Sequence, residues 1–315
     1  MDNTRHFEDL IPLALRSVPY IFQSHLCKAY IALENLYAQK PHLPDSVWEH
    51  CVDIVRNDEP KVDGLIAVEL LKIQSIVDRT AGRDFGPDWI ISRGLMPLSY
   101  WAMRTKYREL GFEGLFESYA EKALNHPTDL GHELSLLSGY WHFYQHVLKA
   151  PRPTDDLDVE LFIQRFTEFV IVTFAGYKEP EGEPVQVDNV PSRSELVGEA
   201  LTYPGFFGHN VIAVVWAQRI SSVLRPMQSR RMMHNLSLLT RPAPDSSAKT
   251  LSPLQSTWTG EELDSELTQF FLDGPENIHQ ITLADALLWV WGNHPEHQAL
   301  CAANLVCFTQ GTRPQ

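Results

Sequence analysis

The sequence predicts an all-α fold in which a single multi-helix domain spans residues 1–315. Apolar residues recur at intervals of three and four, the period of an amphipathic helix, and no stretch keeps the two-residue alternation of a half-buried strand. Ser46, Ser192 and Thr259 are each followed three residues later by glutamate, which is the pattern of a helix-capping box, and Thr282 with Asp285 is a weaker version. A chain of this length can bury a substantial core, so one domain is expected.

Each predicted helix is a run with this apolar period, bounded by proline, glycine or a capping residue. In chain order the predicted helices span 20–38, 45–57, 62–79, 95–109, 113–124, 129–149, 156–176, 193–202, 208–224, 229–239, 260–272, 282–292 and 296–309. Two stretches rich in proline and polar residues, 178–191 and 241–258, are predicted to be irregular loops. Either loop is suited to cover a substrate entrance.

The net charge of the chain is −14, from 26 basic and 40 acidic residues. Nucleic acid and anionic membrane surfaces select basic patches, so this charge favours a small neutral or apolar substrate instead. No apolar run reaches the roughly 18 to 20 residues that span a bilayer, and residues 1–9 are charged and polar, unlike a signal sequence. We therefore expect a cytoplasmic protein with no membrane span and no nucleic-acid partner.

Several familiar site motifs are absent from the sequence. The chain lacks the glycine-rich nucleotide loops, the Gly-x-Ser-x-Gly elbow and the His-Glu-x-x-His zinc motif. Carboxylates between Asp155 and Glu160 look like the aspartate-rich magnesium motif of terpene cyclases, but the second motif of those enzymes is missing, which favours a solvated helix start. The four cysteines have no Cys-x-x-Cys spacing and are predicted to be buried thiols. The basic segment from Arg219 to His234 favours intramolecular ion pairs over a phosphate site.

Four histidines each stand at the head of an apolar segment: His25, His132, His209 and His279. The N-terminus of a helix carries partial positive charge, so an imidazole placed there tends to stay neutral. Neutral imidazole is the form that binds metals. The pattern predicts that the four side chains converge on one metal site in a buried, histidine-lined cavity.

A second histidine pair lies further along the predicted central helix. His142 and His146 are four residues apart and share a helix face, so they can bind one metal together. The alternative is that they pack at a wet boundary of an aromatic-rich helix. His132 lies about 15 Å from His142 along such a helix, too far to share an ion with it.

Three segments of the chain resemble the questin oxidase-like family. They are Ser24-His25 followed by Ala29-x-x-Ala32-Leu33, the block from His126-Pro127 to Tyr140, and His279-x-x-Thr282-x-x-x-Ala286-Leu287. The resemblance implies a helical protein of secondary metabolism that oxidises aromatic polyketides, with non-haem iron held by histidines. All-histidine ligation also suits copper or zinc, so ligand type alone leaves the metal open.

The sequence therefore predicts a metal-dependent oxygenase or oxidase, iron first, acting on a hydrophobic small molecule. Its electron chemistry is expected to come from the metal and dioxygen, or from a separate reductase. The aromatic substrate is expected to stack on Tyr140, Trp141 and Trp216. Two alternatives stay open: a metal-free lyase or cyclase with a histidine general base, and a helical interaction module whose histidines only cap helices. The predicted site residues are His25, His132, His209 and His279 as metal ligands, His142, His146 and Tyr140 as catalytic residues, and Asn210 and Thr282 as residues that bind or orient the cofactor.

Overall fold

The helical architecture is seen in a computed structural model that describes residues 6–16, 24–59, 86–94, 96–125, 131–149, 156–175, 177, 190–241 and 250–309. This part of the chain contains helices and no strand, which confirms the all-α prediction for it. The α-helices are α1 (Ile11–Arg16), α2 (Leu26–Gln39), α3 (Asp45–Asp58), α4 (Pro87–Ser92), α5 (Met96–Asn125), α6 (His132–Phe143), α7 (Asp156–Thr173), α8 (Arg193–Thr202), α9 (His209–Arg219), α10 (Pro226–Leu239), α11 (Gly260–Asp273), α12 (Ile278–Asn293) and α13 (Gln298–Thr309). Short 3-10 turns occupy Glu8–Leu10, Phe206–Gly208 and Pro295–His297, and a π-helical turn occupies Tyr144–Leu148.

Four helices form a closed ring: α2 packs on α6, α6 on α9, α9 on α12, and α12 on α2. Their N-terminal ends meet at one end of the ring, which we call the histidine end and which carries His25, His132, His209 and His279. Further along, the same four helices line one cleft, which we call the cleft end and which includes Asn35, His142, Arg219 and Trp289. The four helices therefore run in the same direction, from the histidine end to the cleft end.

Close packing of α2 on α6 depends on Gly139. A β-carbon at this position would lie 2.6 Å from Lys28 Cβ and 3.0 Å from Lys28 Cα. Because glycine carries no side chain, the two helix backbones approach each other closely here. His25 and His132, at the starts of the same two helices, are brought together by this approach.

An aromatic core anchors α6 from its other side. Tyr140 packs against Phe162, Phe166 and Phe169 of α7 with ring centroids 5.3 to 5.8 Å apart. Phe112 of α5 packs on Phe162 and Phe166 in turn, at 4.9 and 5.1 Å. Such aromatic pairs contribute about 0.5 to 1.5 kcal/mol each beyond the burial of their surface. This core holds in place the helix that carries His132.

Two of the predicted capping boxes are confirmed. Ser192 Oγ accepts from Glu195 N, and Thr259 Oγ1 accepts from Glu262 N, each at 3.2 Å. Each glutamate side chain accepts from the backbone N–H of its capping residue in return.

The other two predicted caps are wrong. Helix α3 begins at Asp45, one residue before Ser46, and follows Pro44, which makes no side-chain capping bond. Helix α12 begins four residues before Thr282, because Asn277 Oδ1 accepts from His279 N at 2.9 Å and caps the helix there. Thr282 lies inside that helix.

Several predicted boundaries shift for local reasons. The helices predicted over 95–109 and 113–124 are one helix, α5, interrupted at Gly111, where φ is +66°. The helix predicted over 129–149 starts at His132 and changes to a π-helical turn after Phe143. The six-residue helices α1 and α4 were not predicted, because runs this short carry little periodic signal.

Part of the prediction lies outside the described residues. This applies to the helix predicted over 62–79 and to 178–189 of the first predicted loop. In the second loop, residues 250–258 are non-helical, and the N–H groups of Leu251 and Leu254 donate to the carbonyls of Thr202 and Ala299. This confirms the described part of that loop.

The structure also bears on the predictions about cysteines, arginine ion pairs and membrane spans, for the residues it describes. All four cysteines are buried thiols. Arg219 pairs with Asp285 and Arg231 with Glu121, as expected for intramolecular ion pairs. Among the described helices, none has both the length and the apolar character that crossing a membrane requires.

Candidate metal centre

The four helix-heading histidines meet at the histidine end as a ring of contacting imidazoles. The ring centroid of His25 lies 5.1 Å from that of His132 and 5.2 Å from that of His279. His209 closes the ring, at 5.0 Å from His132 and 4.6 Å from His279. One potential ligand nitrogen from each of His25, His132 and His279 lies within 4.8 Å of the other two. The structure thus brings together all four residues predicted as metal ligands.

Left-handed glycines place two of these histidines. Gly131 and Gly208, directly before His132 and His209, have φ values of +63° and +75°. A β-carbon at Gly131 would lie 2.7 Å from Ala213 Cβ, and one at Gly208 would lie 2.6 Å from Leu283 Cδ1. Only glycine combines this backbone conformation with so close an approach. These turns therefore fix where α6 and α9 begin.

Hydrogen bonds place the other two histidines through their backbones. Glu59 accepts from His25 N at 2.9 Å and from Ser24 Oγ at 2.8 Å, which holds the turn before α2. Asn277 accepts from His279 N and sets the start of α12. In both cases the ring itself is left to face the centre of the cluster.

A hydrogen bond determines which ring nitrogen of His209 carries the proton. His209 Nδ1 donates to the Phe206 carbonyl oxygen. In a neutral ring the other nitrogen, Nε2, then carries a lone pair, and it lies 3.1 Å from His132 Nε2. A bond from one histidine nitrogen to a backbone carbonyl is a recurrent means of presenting the other nitrogen to a metal.

Burial keeps all four imidazoles neutral at pH 7. It lowers the pKa of His132 to about 3 and that of His209 to about 4. Burial also lowers the pKa values of His25 and His279 well below the ordinary value of 6.5. The cluster is therefore in the form that donates nitrogen lone pairs to a cation.

Two nitrogens of the cluster are buried without a hydrogen-bond partner, His25 Nε2 and His279 Nε2. Buried polar atoms are nearly always paired in folded proteins, so each such atom needs an explanation. Coordination to a metal ion satisfies both nitrogens at once, and three or four neutral imidazoles form a donor set that transition metals accept. The residues present fit a metal centre.

Lys28 lies beneath the cluster, one helical turn after His25. Its side chain is fully buried, and Lys28 Nζ donates to Ser135 Oγ at 3.4 Å. Burial lowers the pKa of Lys28 to about 7. Its charge in turn contributes to the lowered pKa of each of the four histidines.

A pair of phenylalanines, which the sequence analysis missed, covers two of the histidines. Phe206 stacks on His209 and Phe207 on His279, with ring centroids 5.9 and 5.8 Å apart and both ring planes 13° from parallel. Phe207 has a φ of +49°, a strained conformation for a bulky residue, and Phe206 is 52% exposed. The available signal was Gly205-Phe206-Phe207-Gly208, in which two glycines flank two aromatics directly before a site histidine.

Asn210 and Thr282, predicted to orient the cofactor, bond through their side chains to backbone carbonyls near the histidines. Asn210 Nδ2 donates to the Tyr203 carbonyl oxygen at 2.7 Å, which fixes the loop before α9. Thr282 Oγ1 donates to the His279 carbonyl oxygen at 3.2 Å and supports the first turn of α12. Both residues therefore support the histidine end; their contact with a cofactor stays a prediction.

Two of the three aromatic residues predicted to stack on substrate are core residues. Tyr140 and Trp216 are buried, with 1% and 0% exposure, and the Tyr140 hydroxyl donates to the Arg165 carbonyl oxygen at 3.1 Å. The stacking prediction is wrong for both, because tertiary packing covers their faces. Trp141 packs on Phe116, with ring centroids 4.4 Å apart.

The predicted catalytic pair lies away from the cluster. His142 lies ten residues after His132 on α6, about 15 Å along the helix axis. His142 and His146 both line the cleft at the opposite end of the ring. They do not join the four histidines, and Tyr140, in the aromatic core, does not either.

Comparison with known proteins adds no match: no family model, no curated protein and no solved structure matches the chain. The resemblance to the questin oxidase-like family stays a prediction. The geometry of the four histidines is therefore the observation from which a function is argued.

Proposed function

We propose that this chain is a metal-dependent oxidoreductase, a non-haem iron oxygenase or oxidase in the first instance, whose metal is held by His25, His132, His209 and His279. The observation that carries the proposal is the ring of four contacting, neutral imidazoles, two of which present buried nitrogens without a hydrogen-bond partner. Ligand nitrogens of three of them, His25, His132 and His279, lie within 4.8 Å of one another. Helix capping alone does not account for it, because a cap directs its polar atoms to its own backbone rather than to a common point.

The donor set narrows the metal to a class. Neutral imidazole suits iron, copper and zinc, whereas magnesium and calcium prefer oxygen ligands. Iron in such a site supplies electron transfer between an organic substrate and dioxygen, a chemistry that no side chain of this protein provides. A separate reductase is the alternative source of electrons.

The residues around the ligands have distinct tasks in this proposal. The Phe206 carbonyl holds His209 in the tautomer that directs Nε2 inward, and Glu59 holds the turn that presents His25. Such outer contacts orient metal ligands and tune their basicity.

The electrostatics of the histidine end favour an anion as the additional partner of a bound cation. Four helix N-termini direct their partial positive charges to one place, and the Lys28 ammonium adds to them when protonated. A hydroxide, a carboxylate or a phenolate placed there gains from this field. The ionised form of an acidic substrate is therefore favoured over its neutral form.

The proposed substrate is a hydrophobic, aromatic polyketide-like small molecule. The half-exposed ring of Phe206 lies beside His209 and nearly parallel to it, so an apolar planar molecule has a stacking surface near the ligands. We therefore assign substrate stacking to Phe206 rather than to Tyr140 and Trp216, whose rings are buried in the core.

Oxygen consumption tests the reaction class. Chain loaded anaerobically with ferrous iron is mixed with a panel of planar aromatic phenols, and dioxygen uptake and product are recorded together. We expect uptake with product in the parent and in His42→Ala, which alters a turn that pairs with Asp264, and neither in His279→Ala. Product formed at an undiminished rate without dioxygen excludes an oxygenase and favours the metal-free lyase or cyclase with a histidine base.

A further inference from the structure

The cleft end of the helix ring contains a second group of histidines. The cleft has a volume of about 250 Å³, and all four ring helices line it. His142 and His146 belong to α6 and the π-helical turn that follows it, and they face this space together with Asn35 and Gln39 of α2. About 15 Å of packed helix separates the cleft from the four histidines of the other end.

His142 and His146 lie side by side, four residues apart, and both line the cleft. Their rings are parallel to within 7°, with centroids 5.7 Å apart. The backbone changes from α-helix to π-helix between them, since α6 ends at Phe143 and the π-helical turn covers Tyr144–Leu148. Single π-helical turns occur frequently at functional sites, because they re-aim side chains within a helix.

The state of His142 fits a metal ligand. Its Nε2 is buried and has no hydrogen-bond partner. Burial and the charge of Arg219 lower the pKa of His142 to about 4, so the ring is neutral. Asp285 neutralises Arg219 by accepting two bonds from it, at 2.6 and 2.9 Å, so the cleft is not left with the full repulsion of an unpaired guanidinium.

Two side-chain amides can complete a ligand set. The Asn35 side chain hydrogen-bonds to Asp285, and Gln39 Nε2 donates to the Asn35 backbone carbonyl at 3.1 Å. Each amide that donates through its nitrogen keeps a carbonyl oxygen for another partner. Two imidazoles with one oxygen ligand and water make a four-coordinate set of the kind that zinc accepts.

We propose that His142 and His146 form a second, independent metal site that binds a divalent transition-metal ion of the zinc class. The site opens on the cleft and is separate from the four-histidine centre. Its two imidazoles come from α6 and the turn that follows it, and its oxygen ligand from α2, so none of its ligands belongs to the other centre.

Zinc titration of a chain with the first centre disabled tests this site. Metal-stripped full-length His209→Ala/His279→Ala is titrated with Zn²⁺ by calorimetry, and we expect about one equivalent to bind. Adding His142→Leu or His146→Leu should weaken that binding by roughly tenfold or more, since a ligand is lost. The control is His234→Ala, which removes a helical histidine with no histidine four residues away and should leave binding unchanged.

Zinc binding that persists equally in His142→Leu and His146→Leu overturns the proposal, as does no binding in the disabled chain. Circular dichroism checks that each variant folds. If the disabled chain does not fold, the same two leucine variants are made in the otherwise native chain, where the stoichiometry should fall from about two ions to about one. An unchanged stoichiometry there also overturns the proposal. If the proposed four-histidine centre is wrong, a different result shows it: replacing His209 and His279 then leaves metal binding unchanged.

Discussion

Each of the four histidines owes its neutral state to its own surroundings. Desolvation is the largest cause of the lowered pKa at all four positions, and the positive charge of Lys28 adds to it. The orphaned nitrogens of His25 and His279 show that neutrality alone does not satisfy these side chains. A shared metal ion, as proposed above, would satisfy both nitrogens.

Lys28 provides a test of this environment. We predict that Lys28→Met stabilises the chain most at low pH, because burial holds the pKa of Lys28 at about 7 in the folded state against 10.5 for the ordinary side chain. The lowered pKa means that the unfolded chain binds the extra proton between these values. The stability of the parent therefore rises as pH increases from about 7 towards 10.5 and is lowest below pH 7.

Urea unfolding of parent and Lys28→Met at pH 6 and pH 9 measures this effect. The advantage of the methionine variant should be larger at pH 6 than at pH 9 by on the order of 2 kcal/mol. Groups whose pKa the Lys28 charge does not influence titrate alike in both chains, so their contribution to the stability difference cancels. If the stability advantage of Lys28→Met is the same at both pH values, then protonation of Lys28 does not destabilise the folded chain, and the prediction is wrong.

The ring of helices sets the distances between the ligands. No two of the four histidines share a helix, so the spacing of the cluster depends on how α2, α6, α9 and α12 pack. Gly139 is a point of close approach between α2 and α6, and it lies seven residues after His132 on the same helix.

A single methyl group at this contact is predicted to disturb both stability and the metal site. Gly139→Ala places a β-carbon 2.6 Å from Lys28 Cβ, which forces the helices apart and costs about 1 to 3 kcal/mol of unfolding free energy. The same displacement separates His25 from His132 and should weaken metal binding. Thermal melting and metal titration of the apoprotein measure the two effects.

Gly292→Ala is the matched control. Gly292 lies in α12, is exposed, and has no atom within 4 Å of where its β-carbon would stand. Alanine there should stabilise the helix by about 0.5 to 1 kcal/mol and leave the metal site unchanged. Equal behaviour of the two alanine variants would contradict the role given to the contact between α2 and α6.

Across the whole molecule, the sequence predicted those features that depend on neighbouring residues alone. The helices, the caps at Ser192 and Thr259, and the four histidines as a group follow from periodicity and from residues that head apolar runs. Parallel packing of four helices that are distant in the sequence is a tertiary outcome, and no single segment encodes it. The sequence therefore supported the convergence of the four histidines only as a hypothesis, and the distances between them came from the structure.

The misses have the same origin. Tyr140 and Trp216 carry no local sign of how completely their faces are covered, since that depends on α7 and on neighbouring ring helices. The strained backbone of Phe207 is likewise held by its surroundings rather than by its own preference. His142 and His146 were correctly paired by their spacing, but which end of the bundle they occupy required the fold.

The central claim is that the four histidines hold a metal ion, and elemental analysis of anaerobically purified protein tests it most directly. We compare the parent with His279→Ala, which removes a ligand, and with His42→Ala, which removes an exposed histidine bonded to Asp264. We predict that His279→Ala loses about one transition-metal ion per chain relative to the parent, and that chelator lowers its melting temperature by less than it lowers that of the parent. His42→Ala should keep the metal content of the parent. Equal metal content in all three proteins, or a parent that contains no transition metal, would contradict the account.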